Sequence, residues 1–178
     1  IEYEYDQYVG LPTKVTTFSS DTDIATETRY TYPSISNDVV SHISKPLLIR
    51  SYITNNFGTS SELLSTVQNT YNNNFNHYGQ DLKLPSKVKV LKGELTDESF
   101  LEDRILYHDY DAYGNPLEVS KADGTHIVYI WGYNQTQPIA KIEKATYAQV
   151  SSRVANLQTL SNADDDRTVD ILNSNGTI

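Results

Sequence analysis

Histidines are the residues of this sequence whose chemistry would most readily support catalysis or metal binding. The chain has four, His42, His77, His108 and His126. They lie in different units of a repeating pattern, and no two of them have the spacing of an H-E-x-x-H motif or of another paired-ligand motif. We therefore predict that they are surface or strand-face residues, with no catalytic residue and no metal ligand among them.

Aspartates recur in groups that could supply oxygen ligands to Ca²⁺. The groups are Asp21 with Asp23, Asp109 with Asp111, and the run from Asp164 to Asp166. None continues into the spacing of an EF-hand loop, so solvated turns are the preferred interpretation. The sequence also lacks the G-x-S-x-G, P-loop and dinucleotide-binding motifs. We predict no cofactor and no enzymatic activity, with a hydrolase of unrecognised type as the weakest alternative.

Aromatic side chains form the most distinctive candidate binding surface. The sequence has 14 tyrosines, four phenylalanines and one tryptophan. Tyr129, Trp131 and Tyr133 alternate along one predicted strand, and Tyr107 and Tyr113 are candidates to lie opposite them. Such a row could stack on sugars or dock a protein partner, but cross-strand packing within a sheet is the favoured role.

Charge and composition exclude several classes of protein. The net charge is −9, and the absence of a lysine or arginine run argues against nucleic-acid binding. No cysteine is present, so a disulfide framework is excluded. No apolar run approaches ~20 residues, so no membrane span is predicted. The chain begins at Ile1 without any methionine, and we expect it to be part of a larger polypeptide.

A recurring phrase indicates the architecture. YDQYVGLPTKV begins at Tyr5, FNHYGQDLKLPSKVKV begins at Phe75 and YDAYGNPLEV begins at Tyr110. A degenerate copy without the Tyr-Gly pair is predicted within 41–53. The prolines that follow, Pro12, Pro46, Pro85 and Pro116, are separated by 34, 39 and 31 residues. Such a period is typical of a repeat protein.

Each repeat is predicted to be a pair of antiparallel strands. Asp123-Gly124 lies between two alternating runs and predicts a two-residue type I′ hairpin turn. Glycines at the Tyr-Gly positions permit the reversal of the backbone, and the prolines keep the corner out of the strands. The predicted fold class is mainly β, an antiparallel hairpin array of about four repeats of ~35 residues over 1–143.

Two segments depart from this pattern. Thr146 and Gln149 fit a capping box, and the apolar spacing of Tyr147, Val150, Val154 and Leu157 predicts an amphipathic helix over 147 to about 159. The rest of 144–178 is predicted to be an acidic, loosely ordered tail. The segment from Thr59 to Tyr71 fits either a short helix or a strand, and the repeat period favours the strand.

The stretch 110–142 closely resembles the repeats of bacterial RHS/YD-repeat proteins. The resemblance rests on the Tyr-Asp pairs, the G-N-P-L corner and the D-G-T turn. The repeat-defining residues are Tyr5, Asp6, Tyr8, Gly10, Pro12, Tyr78, Gly79, Pro85, Tyr110, Asp111, Tyr113, Gly114, Asn115, Pro116, Asp123 and Gly124. The family's Asp-Pro-x-Gly-Leu cleavage motif is absent, so no self-cleavage is predicted.

The resemblance implies a β-sheet spiral that builds a hollow shell on a secreted or cell-surface protein. Its expected partners are the rest of the parent polypeptide, together with an enclosed C-terminal domain such as a toxin, the export machinery or a surface partner. The predicted function is therefore that of a structural repeat segment. The alternative is an adhesion module that binds carbohydrate or protein through Tyr129, Trp131 and Tyr133.

Overall fold

A computed structural model of the chain describes residues 1–7, 10–20, 23–33, 45–55, 60–77, 80–92 and 97–164. It is mainly β, with ten antiparallel strands in one open sheet followed by a single α-helix. The strands lie in the sheet in the same order as in the chain, so the topology is a meander. The predicted fold class is confirmed.

The strands are β1 Glu2–Tyr5, β2 Pro12–Phe18, β3 Ile24–Thr31, β4 Leu48–Asn55, β5 Ser60–His77, β6 Gln80–Lys92, β7 Glu102–Tyr110, β8 Pro116–Lys121, β9 His126–Gly132 and β10 Gln137–Glu143. Helix α1 is Tyr147–Ala163. A 3₁₀ helix at Glu98–Phe100 precedes β7. Among the described residues, no helix is both long enough and apolar enough to cross a membrane.

The chain divides into two units. The first contains Ile1–Tyr107 and Lys121–Asp123, and the second contains His108–Ser120 and Gly124–Ile178. Strands β1 to β6 therefore belong to the first unit, and β9, β10 and α1 belong to the second.

The first unit is stabilised mainly by its ladders and by polar cross-strand contacts. Glu27 is 8% exposed on β3 and forms ion pairs with Lys14 and Arg29. The Thr54 hydroxyl donates a hydrogen bond of 3.2 Å to the carbonyl oxygen of Ala25 on the neighbouring strand. Cross-strand pairs of this kind are the usual source of stability in a sheet with few buried apolar residues.

The ambiguous segment at 59–71 is a strand over its described residues, which confirms the preferred interpretation. Val67 of β5 pairs with Ile49 of β4 on one side and with Val90 of β6 on the other. Ladders on both edges satisfy the backbone groups that a helix would have satisfied internally.

The second unit buries apolar residues on both faces of its strands. Val128, Ile130 and Val154 are buried between the sheet and α1. Leu117, Val119 and Ile127 are buried on the opposite face. A Cβ added to Gly132 would lie 2.7 Å from Ile139 Cγ2 and would also meet Ser161 Oγ of the helix. The helix therefore packs against the face of β9 that contains Val128, Ile130 and Gly132.

Helix α1 begins at Tyr147 as predicted and continues to Ala163, beyond the predicted end. The Thr146 N–H donates to the Gln149 side-chain oxygen at 2.9 Å, as a capping box requires. Leu157, one of the four apolar residues whose spacing predicts the helix, is nevertheless 37% exposed. The half-buried positions continue instead through Gln158 and Ser161.

The hairpin of β8 and β9 is confirmed by the pairing of Val119 with Ile127, but its predicted two-residue turn is wrong. Strand β8 ends at Lys121 and β9 begins at His126. Gly124 has a φ of +80°, whereas Asp123 is not in the left-handed region. A type I′ turn requires both central residues there, so the strands separate earlier and a longer connection forms.

Candidate functional site

The first Tyr-Asp corner joins β1 to β2. Tyr5 is the last residue of β1 and Pro12 is the first of β2. The Asp6 N–H donates to the Leu11 carbonyl at 2.8 Å, and the Gly10 N–H donates to the Asp6 carbonyl at 3.0 Å. Gly10 has a φ of +67°, a conformation that glycine adopts without steric cost. Tyr8 lies outside the described residues.

The second Tyr-Asp corner follows the same plan between β7 and β8, which end at Tyr110 and begin at Pro116. The Asp111 N–H donates to the Asn115 carbonyl at 2.9 Å, and the Gly114 N–H donates to the Asp111 carbonyl at 3.1 Å. Gly114 has a φ of +86°. The two corners therefore share their hydrogen bonds and glycine conformation, although the first is one residue longer.

The Asp111 carboxylate organises the second corner. It accepts hydrogen bonds of 2.9 Å from the N–H groups of Tyr113 and Asn115 and from the Asn115 side chain. Carboxylates that bond to backbone N–H groups in this way stabilise turns. This geometry agrees with a turn role for Asp111.

The predicted third corner differs from the other two. Tyr78 and Gly79 lie outside the described residues. Pro85 lies inside β6 instead of at the start of a strand, and it pairs with Tyr71 where the β5–β6 register shifts. A proline lacks the N–H that a ladder needs, and an irregularity of this kind is where a strand tolerates it.

Three of the four repeat prolines share a contact that sequence reasoning did not predict. In each, the proline carbonyl accepts a hydrogen bond from the polar tip of an aromatic side chain further along the chain. The pairs are Tyr32 with Pro12 (3.0 Å), Tyr71 with Pro46 (3.2 Å) and Trp131 with Pro116 (2.9 Å). The aromatic ring can pack against the sheet while its hydroxyl or indole N–H satisfies the backbone.

The predicted aromatic row is interrupted at its end. Tyr129 and Trp131 are half-buried on β9, whereas Tyr133 follows the end of the strand at Gly132. Its hydroxyl donates to the Asp164 carboxylate at 2.8 Å. Tyr113, a candidate to lie opposite, is in the second corner and is 53% exposed.

Tyr133 begins a turn of unusual conformation before β10. Tyr133, Asn134 and Gln135 have φ values of 50°, 55° and 60°, in the left-handed region that residues with a Cβ rarely adopt. The end of α1 supports the turn, because the Tyr133 N–H donates to Ser161 Oγ and the Asn134 N–H donates to Asn162 Oδ1. These bonds help to offset the cost of the turn.

The described residues bring one group of metal-ligating side chains together, although the sequence showed no paired-ligand spacing. His108, Glu118 and His126 come from β7, β8 and β9 respectively. One ligand atom of each lies within 4.8 Å of those of the other two. We refer to these three residues as the His-Glu-His cluster.

Short contacts hold the His-Glu-His cluster together. The His126 Nδ1 and Glu118 Oε1 atoms are 2.5 Å apart. His108 Nε2 lies 2.8 Å from the hydroxyl of Ser120. The two imidazole rings are stacked, with centroids 5.1 Å apart and an angle of 20° between their planes. Two of the four histidines are thus neighbours in space.

Glu118 is the most buried member of the cluster, with 12% of its side chain exposed. Burial by itself raises the pKa of a carboxyl group. The Tyr147 N–H, which donates to Glu118 Oε2 at 2.6 Å, together with the two imidazoles, lowers the pKa of Glu118 below its ordinary value. The carboxylate is therefore held as an anion beside two imidazole rings.

The register of the β8–β9 hairpin contained a partial signal for this cluster. Ser120 pairs with His126 and Glu118 pairs with Val128, so Glu118 and His126 share one face of the hairpin. His108 could not be added from the sequence, because its position depends on how β7 lies beside β8.

Comparison with models of protein families, with curated proteins and with solved structures finds no match to this chain. The resemblance to RHS/YD-repeat proteins is therefore a sequence-based prediction.

Proposed function

We propose that this chain is an architectural segment of a larger β-sheet, built from strand-pair repeats of the RHS/YD type. The observation that carries the proposal is the recurring bond between a repeat proline carbonyl and an aromatic tip, present at Pro12, Pro46 and Pro116. A contact that recurs with the sequence period is expected of repeated structural units.

The count of strands between the two Tyr-Asp corners supports the same proposal. Pro12 and Pro116 are three proline intervals apart, and the intervening chain contains the six strands β2 to β7. This is an average of two strands for each interval, with Pro85 inside β6. An array of this kind can be extended by further pairs without change to its internal contacts.

Strand β1 offers an edge on which such an extension could pair. It is the first strand of the sheet order and pairs with β2 on one side. Tyr3 and Tyr5 are 53% and 59% exposed, and their rings stack with centroids 6.0 Å apart. An exposed edge with aromatic side chains readily accepts another strand.

The aromatic contacts favour this architectural role over adhesion. The Trp131 indole N–H bonds to the Pro116 carbonyl, and the Trp131 carbonyl accepts from the Gln158 side chain of α1 at 2.9 Å. Both contacts tie Trp131 to its own sheet and helix. A sugar-binding tryptophan would instead present a free face to solvent.

By resemblance, the parent protein is secreted or displayed at the cell surface, and the sheet encloses or presents another domain. Antibodies raised against this chain, applied to intact cells and to culture medium, measure its location. Binding in either fraction before lysis is the expected result, whereas signal that appears only after lysis contradicts this part of the proposal.

Deletion of one strand pair tests the architectural role directly. Removal of residues 12–45 joins Leu11 to Pro46, so that one repeat proline replaces another after the first corner. It also preserves the antiparallel alternation, because β4 has the direction of β2. We expect the shortened chain to retain β-type circular dichroism and a cooperative urea transition.

The matched control removes a single strand, residues 12–23, and would place β1 parallel to β3. A short connection cannot join parallel neighbours, so this variant should lose the cooperative transition. Loss of the transition in both deletions to the same degree would contradict a modular strand-pair array.

A further inference from the structure

We propose that His108, Glu118 and His126 form a binding site for a divalent transition metal ion, of which Zn²⁺ is the best match. Two imidazoles and one carboxylate are a ligand set that zinc accepts, with a fourth position left for water or an external ligand. The site goes beyond the architectural role, and neither proposal depends on the other.

The positions of the three residues in the sheet bring their ligands together. They come from three successive strands, and Ser120 lies across from His126 in the β8–β9 register. Side chains on strands two apart are normally about 9–10 Å from each other. The ring centroids of His108 and His126 are only 5.1 Å apart, because the small Ser120 side chain lets both rings lean inwards.

The ring separation matches what metal coordination requires. Two imidazoles bound to one tetrahedral Zn²⁺ at about 2.0–2.1 Å have ring centres roughly 5 Å apart. The ring planes are nearly parallel, at 20°, so coordination needs a rotation of the rings about their Cβ–Cγ bonds until the nitrogen lone pairs converge. The exposed position of His108 leaves room for that rotation.

Glu118 supplies the negative charge of the site, and its carboxylate is held in place by hydrogen bonds. Its Oε2 is anchored by the Tyr147 N–H, and its Oε1 lies 2.5 Å from His126 Nδ1. A metal ion bound between Glu118 Oε1 and His126 Nδ1 would replace the hydrogen bond between these atoms, and a neutral His126 would then carry its single N–H on Nε2. A carboxylate that is held by such a hydrogen bond is already oriented for coordination before the metal ion binds.

Isothermal titration calorimetry of the full, tag-free chain with ZnCl₂ tests the proposal. We expect one Zn²⁺ to bind for each chain, and His108→Gln and His126→Gln each to weaken binding by about tenfold or more. His77→Gln, the same substitution on β5, is the matched control and should bind as the unmodified chain does. Circular dichroism confirms that each variant is folded.

Ser120→Leu provides a second test that leaves all three ligands in place. The larger side chain would force the two rings apart, so we expect Zn²⁺ affinity to fall although no ligand is removed. Co²⁺ gives an independent readout, since tetrahedral coordination produces an intense visible absorption band that should be present in the unmodified chain and absent in His108→Gln.

Two results would overturn the proposal. One is the absence of Zn²⁺ binding up to millimolar concentration. The other is binding that His108→Gln and His126→Gln leave unchanged, which would assign it to the acidic surface of a chain with net charge −9.

Discussion

The two units of the chain differ in the side chains that they bury against their strands. In the second, six apolar side chains are buried, and Val128, Ile130 and Val154 among them lie where α1 packs on β9. In the first, among the described residues, the buried apolar side chains are those of Ala25, Leu84 and Leu91. Polar side chains, those of Glu27, Thr54 and Thr66, occupy other buried positions of the first unit.

This difference shows that two parts of one antiparallel sheet can be stabilised by two mechanisms. A helix laid on a sheet gives a two-layer core whose stability comes from apolar burial. A strand-pair array without such a layer depends on its ladders, its ion pairs and the bonds to its proline carbonyls. Substitutions that separate apolar burial from polar contacts should therefore affect the two units differently.

The largest expected effect is on the core of the second unit. Ile130 is 1% exposed, and Ile130→Ala should lower the free energy of unfolding by about 2–5 kcal/mol. Ile24→Ala removes the same atoms from a residue of the first unit that is 46% exposed, and should cost less than about 1 kcal/mol. Urea denaturation measures both, and equal losses would contradict the contrast.

The next largest effect concerns the packing of α1 on β9. Gly132→Ala places a methyl group against Ile139 and Ser161, and we expect a cost of about 1–3 kcal/mol with faster amide exchange along α1. Gly124→Ala meets nothing within 4 Å but requires a left-handed residue, so it should cost ~1 kcal/mol without exposing the helix. If α1 exchanged equally in both variants, close packing at Gly132 would be wrong.

The proline carbonyl bonds should contribute smaller and similar amounts in the first unit. Tyr32→Phe and Tyr71→Phe each leave a proline carbonyl without its aromatic donor, at an expected cost of about 1 kcal/mol. Tyr3→Phe, on the exposed edge strand, is the matched control and should cost less than about 0.5 kcal/mol. Urea midpoints that do not separate the three variants would remove the observation on which the repeat plan rests.

The smallest effect is a loss of stability at alkaline pH. Burial raises the pKa of Tyr71 above the ordinary tyrosine value, as does the nearby Tyr107. Stability from this group is complete below the unfolded-state pKa of about 10 and is lost as the pH rises towards the folded-state pKa. Thermal melts between pH 9 and pH 11 should show a shallower decline in Tyr71→Phe; an unchanged decline would show that this hydroxyl does not contribute.

Local patterns in the sequence predicted those features that local residues determine. Alternation of apolar residues predicted the β8–β9 hairpin, and the Thr146–Gln149 pair predicted the start of α1. Pro12 and Pro116 each start a strand two residues after a glycine of positive φ. These features need only a few neighbouring residues, so the sequence is sufficient to predict them.

Features that depend on strand register or on tertiary contacts could not be predicted from local sequence patterns. The His-Glu-His cluster requires the alignment of three strands and the small size of Ser120. The turn at Tyr133–Gln135 contains no glycine and takes its left-handed conformation with support from α1. The apolar spacing of α1 includes Leu157, whereas it is the polar Gln158 whose side chain bonds to the Trp131 carbonyl.

Hydrogen exchange at the β1 edge tests most directly whether this chain is a segment of a larger sheet. The measurement compares the isolated chain with the full parent protein over Glu2–Tyr5. We predict that the amides of β1 that point away from β2 exchange rapidly in the isolated chain and become protected in the parent, because another strand pairs with them. Equal, rapid exchange of those amides in both proteins would contradict the account.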